Sequence, residues 1–232
     1  MTIDPDLRDD LRDGGALRTA TIAAVPSTDL DDAPRGPSSV LGQRAAEDAV
    51  TISFESVVEG DDAEVLYEVY RRNFEPLGEL AVLQHCFPRE VLLAELADPT
   101  ITKIVGWQGV TPVGLGMVTA NLDAVPQISA PALRARYPRH AETGSIYFGI
   151  LVAVSPEHRG MTLFNRIYLE LWNIPAKVGG VLVFDICEFN RTAFDTDSLV
   201  QRIGSNFPGS DVGVIDTQTF YAAELPNPIP GS

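Results

Sequence analysis

The chain has 232 residues, a formal net charge of −15, 45% hydrophobic residues and two cysteines. This size and hydrophobic content indicate one globular domain with extra segments, and a body this acidic disfavours nucleic acid and anionic membranes as partners. The apolar stretches are shorter than a membrane span, no signal segment opens the sequence, and the three histidines show no metal-ligand spacing. These features predict a cytoplasmic protein without a metal site.

The first 50 residues differ from the rest of the chain. They hold ten Asp or Glu and five Arg, and they show no sustained hydrophobic periodicity. We therefore predict a disordered or loosely packed acidic arm over residues 1–50, a folded domain over residues 51–225, and a Pro-rich tail over residues 226–232.

The first half of the domain reads as strand, helix, helix and hairpin. Residues 51–58 alternate as a strand does, and an amphipathic helix follows Gly60 as far as Phe74. A second helix opens at Pro88 and ends at Asp98. Residues 101–107 and 113–119, joined around Gln108-Gly109, then predict a β-hairpin.

A long insertion, residues 121–145, follows this hairpin, and loops of such length are commonly functional or disordered. It contains the basic cluster of the chain, which consists of Arg134, Arg136, Arg139 and His140, close to Tyr137. Two interpretations stay open: a solvated helical turn, or contact with an anion such as a phosphate or an acidic substrate.

The centre of the domain is a buried strand over residues 146–154, a polar turn, and a helix whose apolar residues recur at helical spacing until Pro175. Residues 181–187 predict a second buried strand, parallel to the first. Residues 219–223 predict a last strand.

Two motifs resemble those of the GNAT (Gcn5-related N-acetyltransferase) superfamily. The first is V-x-P-x-x-R-G, formed by Val154, Pro156, Arg159 and Gly160; the second is N-x-x-A, which begins at Asn190. The resemblance implies an α/β (α+β) fold of the GNAT-like acyl-CoA N-acyltransferase type. Such a fold has a mixed, mostly antiparallel twisted sheet with splayed parallel central strands, flanked by helices.

The sequence also departs from the family pattern. Thr162 and Phe164 stand where the family has small residues next to the pyrophosphate of CoA, and glycine there allows a close approach that phenylalanine does not. The tyrosine usual after the asparagine is absent as well, since Asp197 and Val200 occupy the two positions that counting gives.

The resemblance implies a set of donor-binding residues and a set of catalytic candidates. The donor, acetyl-CoA or another acyl-CoA, would be held by the strand end, the following loop and the asparagine, namely Val152, Ala153, Val154, Arg159, Gly160, Met161, Thr162 and Asn190. The candidates for the base and for a substrate-orienting or proton-donating group are Glu142, Glu188 and Tyr147. The simpler interpretation is a surface position for each glutamate and a packing role for the tyrosine.

Three functional hypotheses follow. The first is an N-acyltransferase that moves an acyl group, with acetyl as the first choice, from acyl-CoA to a small-molecule or peptide amine by direct attack. The second is a long-chain N-acyltransferase of the autoinducer-synthase or N-acyl amino acid synthase kind, which takes its acyl group from acyl-carrier protein. The third is a non-catalytic GNAT-like binding or assembly module; a homodimer also stays open.

Overall fold

The structure is a computed structural model that describes residues 50–82, 86–158, 162–193, 195–222 and 224. Five strands form one sheet: β1 Val50–Glu55, β2 Ile101–Gln108, β3 Thr111–Thr119, β4 Ile146–Val154 and β5 Val181–Phe184. The α-helices of the described chain are α1 Gly60–Phe74, α2 Leu77–Leu80, α3 Arg89–Ala97, α4 Ala130–Arg136, α5 Pro138–Glu142, α6 Thr162–Ala176, α7 Glu188–Ala193 and α8 Thr196–Gly204. Short 3-10 turns lie at Leu122–Ala124 and Pro156–His158.

The strands lie in the sheet in the order in which they occur along the chain. β1, β2, β3 and β4 pair antiparallel, whereas β4 and β5 pair parallel. The turn between β2 and β3 is tight because Gly109 adopts a positive φ of 59°. This mixed, mostly antiparallel sheet with helices on both faces confirms the fold class predicted from the sequence.

Helix α6 covers one face of the sheet over a patch of glycines. A Cβ on Gly106, Gly114 or Gly116 would come within 2.8 Å of a side-chain atom of Leu163 or Ile167. Because these glycines have no side chain, the helix packs directly against β2 and β3, where Ile167 is fully buried. The patch thereby fixes the amino end of α6 beside the carboxyl end of β4.

Helices α1 and α3 cover the opposite face. Their buried residues Leu66, Tyr70 and Leu92 form one cluster with Leu115 and Met117 of β3. The Tyr70 hydroxyl accepts a hydrogen bond of 2.7 Å from the backbone N–H of Phe87, which ties the segment before α3 to α1. Two hydrophobic layers therefore enclose the sheet.

The insertion is ordered and has a small core of its own. Its 3-10 turn and α4 bury Leu122, Val125 and Leu133 against Ile146 and Phe148 at the beginning of β4. Ser129 caps α4 by accepting a hydrogen bond of 3.4 Å from the Ala132 N–H. The insertion is thus a packed element rather than an open loop.

Several predicted boundaries need correction. β1 ends at Glu55 rather than at residue 58, and β5 ends at Phe184 rather than at residue 187. Described residues 219–222 form no strand, so the predicted last strand is wrong there, and residue 223 lies outside the described residues. The arm up to residue 49 and the tail also lie outside them. Helix α6 ends at Ala176, one residue after Pro175, as the sequence predicts. Within the described ranges, no helix combines the length and apolar character needed to cross a bilayer.

Candidate functional site

The two parallel strands separate halfway along β4. β5 pairs with β4 from Ile146 to Gly149, where Gly149 lies opposite Phe184, and β5 ends there. β4 continues for five more residues, of which residues 151–154 pair with β3 alone. We call the open space beside residues 150–154 the gap.

A β-bulge lies at the point of separation. The register of β3 with β4 passes from Val118 opposite Gly149 to Met117 opposite Leu151, which leaves Ile150 as the extra residue. A bulge leaves the polar backbone groups of its extra residue outside the regular ladder and bends the strand. The bulge therefore adds unpaired backbone at the beginning of the gap.

The backbone of β4 beyond the bulge has hydrogen-bonding groups that point into the gap. The Ser155 N–H donates to the Val113 carbonyl of β3 at 2.8 Å. Because such groups alternate in direction along an antiparallel strand, Ala153 also bonds to β3, whereas Val152 and Val154 direct theirs away from it. The buried side chain of Asn73 on α1 confirms this direction, since its Nδ2 donates to the Val154 carbonyl at 3.0 Å.

The loop after β4 is fixed by a chain of polar side chains. His158 Nδ1 lies 2.7 Å from Ser155 Oγ, and His158 Nε2 lies 2.9 Å from Gln108 Oε1 at the end of β2. Glu157 pairs with Arg72 of α1 at 2.8 Å. These contacts connect the loop to the end of β2 and to α1.

The single parallel pair and its early separation are those that the sequence resemblance implies, although β5 is the edge strand of the described sheet and the pair is therefore not central. The chain has a GNAT-like fold.

No family model matches the chain, and no curated protein matches it. Similar solved structures include a GCN5-related N-acetyltransferase from Ralstonia eutropha JMP134, with 19% identity and a TM-score of 0.49 over 75% of this chain and 100% of that one. PaiA N-acetyltransferase from Thermoplasma acidophilum, in complex with coenzyme A, has 15% identity and a TM-score of 0.43 over 64% and 87%. The ribosomal-protein-S18-alanine N-acetyltransferase from Escherichia coli has 14% identity and a TM-score of 0.42 over 65% and 76%. These identities are too low to carry over an activity.

The GNAT-like loop residues fall into two groups. Arg159, Gly160 and Met161 lie outside the described residues. Thr162 is the first residue of α6 and is exposed at the end of the helix next to β4. A 15-residue helix has unpaired N–H groups in its first turn, so this end favours an anion.

Phe164 turns toward the protein interior. Its ring stacks on that of Tyr168 with centroids 5.7 Å apart, and the two rings lie in the cluster that includes Trp172 and Phe184. The ring of Tyr168 meets that of Phe184, the last residue of β5, edge-on at 6.1 Å. Phe164 thus takes part in an aromatic wall between α6 and the end of β5.

Asn190 and Cys187 lie just after β5. Asn190, in α7, is half-buried, and its Oδ1 is buried without a hydrogen-bond partner among the described residues. Its backbone carbonyl accepts a bond of 3.0 Å from Thr196 Oγ1, which fixes α7 to α8. Burial raises the pKa of the Cys187 thiol, so this group stays protonated at neutral pH and is a poor nucleophile.

The three catalytic candidates are not brought together. Glu142 is exposed at the end of α5, before β4 begins, so about 13 Å of strand, residues 146–149, lies between it and the gap. Tyr147 lies in the paired part of β4, opposite Leu182, and packs into the cluster under α6. Glu188 is the first residue of α7, four residues after the end of β5, but Arg191 pairs with it at 2.7 Å and holds the pKa of its carboxyl below its usual range.

The basic cluster of the insertion is also far from the gap. The insertion connects the last residue of β3, Thr119, to the first residue of β4, Ile146. The whole insertion therefore lies at the amino end of β4. Arg134 forms a two-pronged contact with Asp123 of the same insertion, at 3.1 and 2.6 Å. The cluster therefore cannot contact a phosphate bound at the start of α6.

Sequence reasoning missed the bulge at Ile150 and the contact of Asn73 with Val154. Neither has a local signal: the bulge depends on how β3 and β4 align, and Asn73 is one polar residue in an otherwise ordinary helix. In the described part of the chain, no three His, Cys, Asp or Glu side chains come together in a group that could hold a metal ion.

Proposed function

We propose that the chain is an N-acyltransferase that uses an acyl-CoA thioester, with acetyl-CoA as the first donor to test, and an amine acceptor. The observation that carries the proposal is the gap: an unpaired strand edge with a bulge at its start and a helix amino end at its mouth. A pantetheine arm contains two amides, so it can bond to the Val152 backbone as an added strand does. The phosphates would then lie near Thr162.

The arrangement suits acyl transfer by direct attack. Backbone N–H groups at the bulge can stabilise the negative charge that develops on a thioester oxygen. The buried Oδ1 of Asn190 is an acceptor without a partner among the described residues, so an amide N–H of the donor would satisfy it. A protonated Cys187 adds no reason to expect a covalent acyl-enzyme.

Acyl-carrier protein has less support as the source of the acyl group. The long insertion and its arginines favoured that alternative, yet both are at the end of β4 away from the gap. The aromatic wall formed by Phe164, Tyr168 and Phe184 also limits space beside the end of β5. We therefore expect the protein to transfer short acyl groups. If no acyl-CoA binds, the third hypothesis, a non-catalytic module, replaces this proposal.

Thermal unfolding with and without donor tests the proposal. A ligand at 100 times its Kd stabilises a protein by about 2.7 kcal/mol, which corresponds to a rise in Tm of roughly 5–10 °C for a domain of this size. We expect such a rise with acetyl-CoA, a smaller one with a long-chain acyl-CoA, and none with ADP, which lacks the pantetheine arm. No shift with any acyl-CoA would contradict the proposal.

A backbone variant tests the gap itself. Val152→Pro removes an N–H that is outside the β3 ladder, so the folded protein should tolerate it, since proline is accepted at unpaired strand positions. We expect the acetyl-CoA shift to fall by more than half. Val152→Ala shortens the same side chain but keeps the N–H, so it should retain more of the acetyl-CoA shift than Val152→Pro does. Equal shifts in the two variants would show that the backbone edge does not hold the donor.

A further inference from the structure

Asp185 is a carboxylate directly beside the point where the strands separate. It follows Phe184, the last residue of β5, just as Ile150 follows Gly149 on β4, and Phe184 and Gly149 lie opposite each other. Neighbouring strands are about 4.8 Å apart. The residue that follows this last pair is therefore a carboxylate on the β5 side and the bulged Ile150 on the β4 side.

The surroundings of Asp185 leave its carboxylate free to react. Within the described residues it forms no ion pair, and the hydrogen bond to its carboxyl comes from its own backbone N–H, whereas Glu188 is held by Arg191. Asp185 is exposed, so solvent and an acceptor can reach it, yet partial desolvation of the carboxyl raises its pKa. The titratable neighbours on the same side are the protonated Cys187 thiol and the Glu188–Arg191 pair.

We propose that Asp185 is the general base that takes the proton from the attacking amine. This inference rests on the acyl transfer proposed above, and it names a residue for the proton step. A carboxylate at the bulge is close to where an amine must stand to attack a thioester carbonyl bound there. Glu142 is too far from the gap for this task. Glu188 is a weaker base, because its ion pair with Arg191 lowers the pKa of its carboxyl.

An acceptor that arrives as an ammonium ion first loses a proton to solvent, and the neutral nitrogen attacks the thioester carbon, so that a C–N bond forms and the carbonyl pair moves to oxygen. Asp185 takes the second nitrogen proton as the adduct forms. The C–S bond then breaks, and the departing thiolate recovers a proton from the Asp185 carboxyl directly or through water.

The test compares Asp185→Asn with Asp195→Asn, the same change at an exposed carboxylate in the turn before α8. Acetyl-CoA binding is measured by calorimetry, and transfer is followed by thiol release with a panel of primary amines. We expect D185N to bind acetyl-CoA like the wild type and to lose roughly 100-fold or more in kcat, together with the acidic limb of the pH profile. D195N should match the wild type, and Asp185→Glu should restore part of kcat.

The outcomes separate the two proposals. If the wild type binds neither acetyl-CoA nor any other acyl-CoA, the proposed function fails, and the role of Asp185 fails with it. If the wild type binds and transfers while D185N keeps its kcat and pH profile, only the role of Asp185 is overturned. Binding without transfer to any amine also overturns it, because no proton then needs to be removed.

Discussion

Lys103 is a charged residue in the interior of the sheet. It is fully buried on β2, and its ammonium donates to two backbone carbonyls, of Ser56 at 2.9 Å and of Asp98. Burial lowers its pKa to about 8. Burial likewise raises the pKa of nearby Glu95 on α3 to about 7, and the buried Oε2 of Glu95 has no partner among the described residues. Both groups are costly to keep charged inside the fold.

A substitution at Glu95 should change how stability depends on pH. The pKa of Glu95 is about 7 in the folded protein, above its usual value of 4.5, so the folded state binds this proton more tightly. Its contribution to stability is therefore fully present below pH 4.5 and is lost as pH rises to about 7. Glu95→Gln should become more stable relative to the wild type over this range, as measured by urea unfolding at several pH values. Glu90→Gln, at an exposed position of the same helix, should show no such trend; a parallel trend would contradict the assignment.

Individual site residues were only partly predictable. Val152 and Val154 were expected at the gap, and the direction of their backbone groups fits that expectation, whereas Ala153 bonds to β3. Asp185 was hidden in an apolar run that predicted a longer strand; it is available only because β5 stops at Phe184. Strand length and register depend on tertiary packing, which local sequence patterns do not encode.

The contact of α6 with the sheet can be tested at its closest point. A Cβ on Gly116 would lie 2.6 Å from Cγ2 of Ile167, which is fully buried. Gly116→Ala should therefore lower the free energy of unfolding by about 1–3 kcal/mol, as overpacked cores do. Gly78→Ala, in α2, meets nothing within 4 Å and should be neutral or stabilising. A loss below about 0.5 kcal/mol for G116A, the range of ordinary surface changes, would show that the helix shifts freely.

Elements with strong periodicity were predicted well, and weak ones were not. The hairpin of β2 and β3, the central β4 and helix α1 occur where the sequence predicts them. For the basic cluster of the insertion, the sequence allows both a solvated turn and an anion site. The order of the insertion comes from contacts with Ile146 and Phe148, which the short helices make by folding back onto the strand that directly follows them.

At the scale of the whole molecule, charge opposes compactness. The net charge is −15, and repulsion among so many carboxylates acts mainly in the folded state, where they are close together. The ion pairs among the described residues do little to offset it. Their side chains are 40–69% exposed, and several join neighbours on one helix, such as Arg71 with Glu68 and Glu75. Exposed pairs of this kind are worth about 0–1 kcal/mol each, and local pairs can persist in the unfolded chain.

We therefore expect salt to stabilise the protein at neutral pH. Raising NaCl from low concentration to a physiological level shortens the screening length to about 8 Å, which weakens long-range repulsion more than contacts between neighbours. A gain of about 1 kcal/mol would raise Tm by roughly 2–4 °C in thermal unfolding at pH 7. The same titration near pH 4.5, close to the isoelectric point, is the control, because the net charge is then near zero and the gain should vanish. A Tm that falls with salt at pH 7 would mean that the ion pairs outweigh the repulsion.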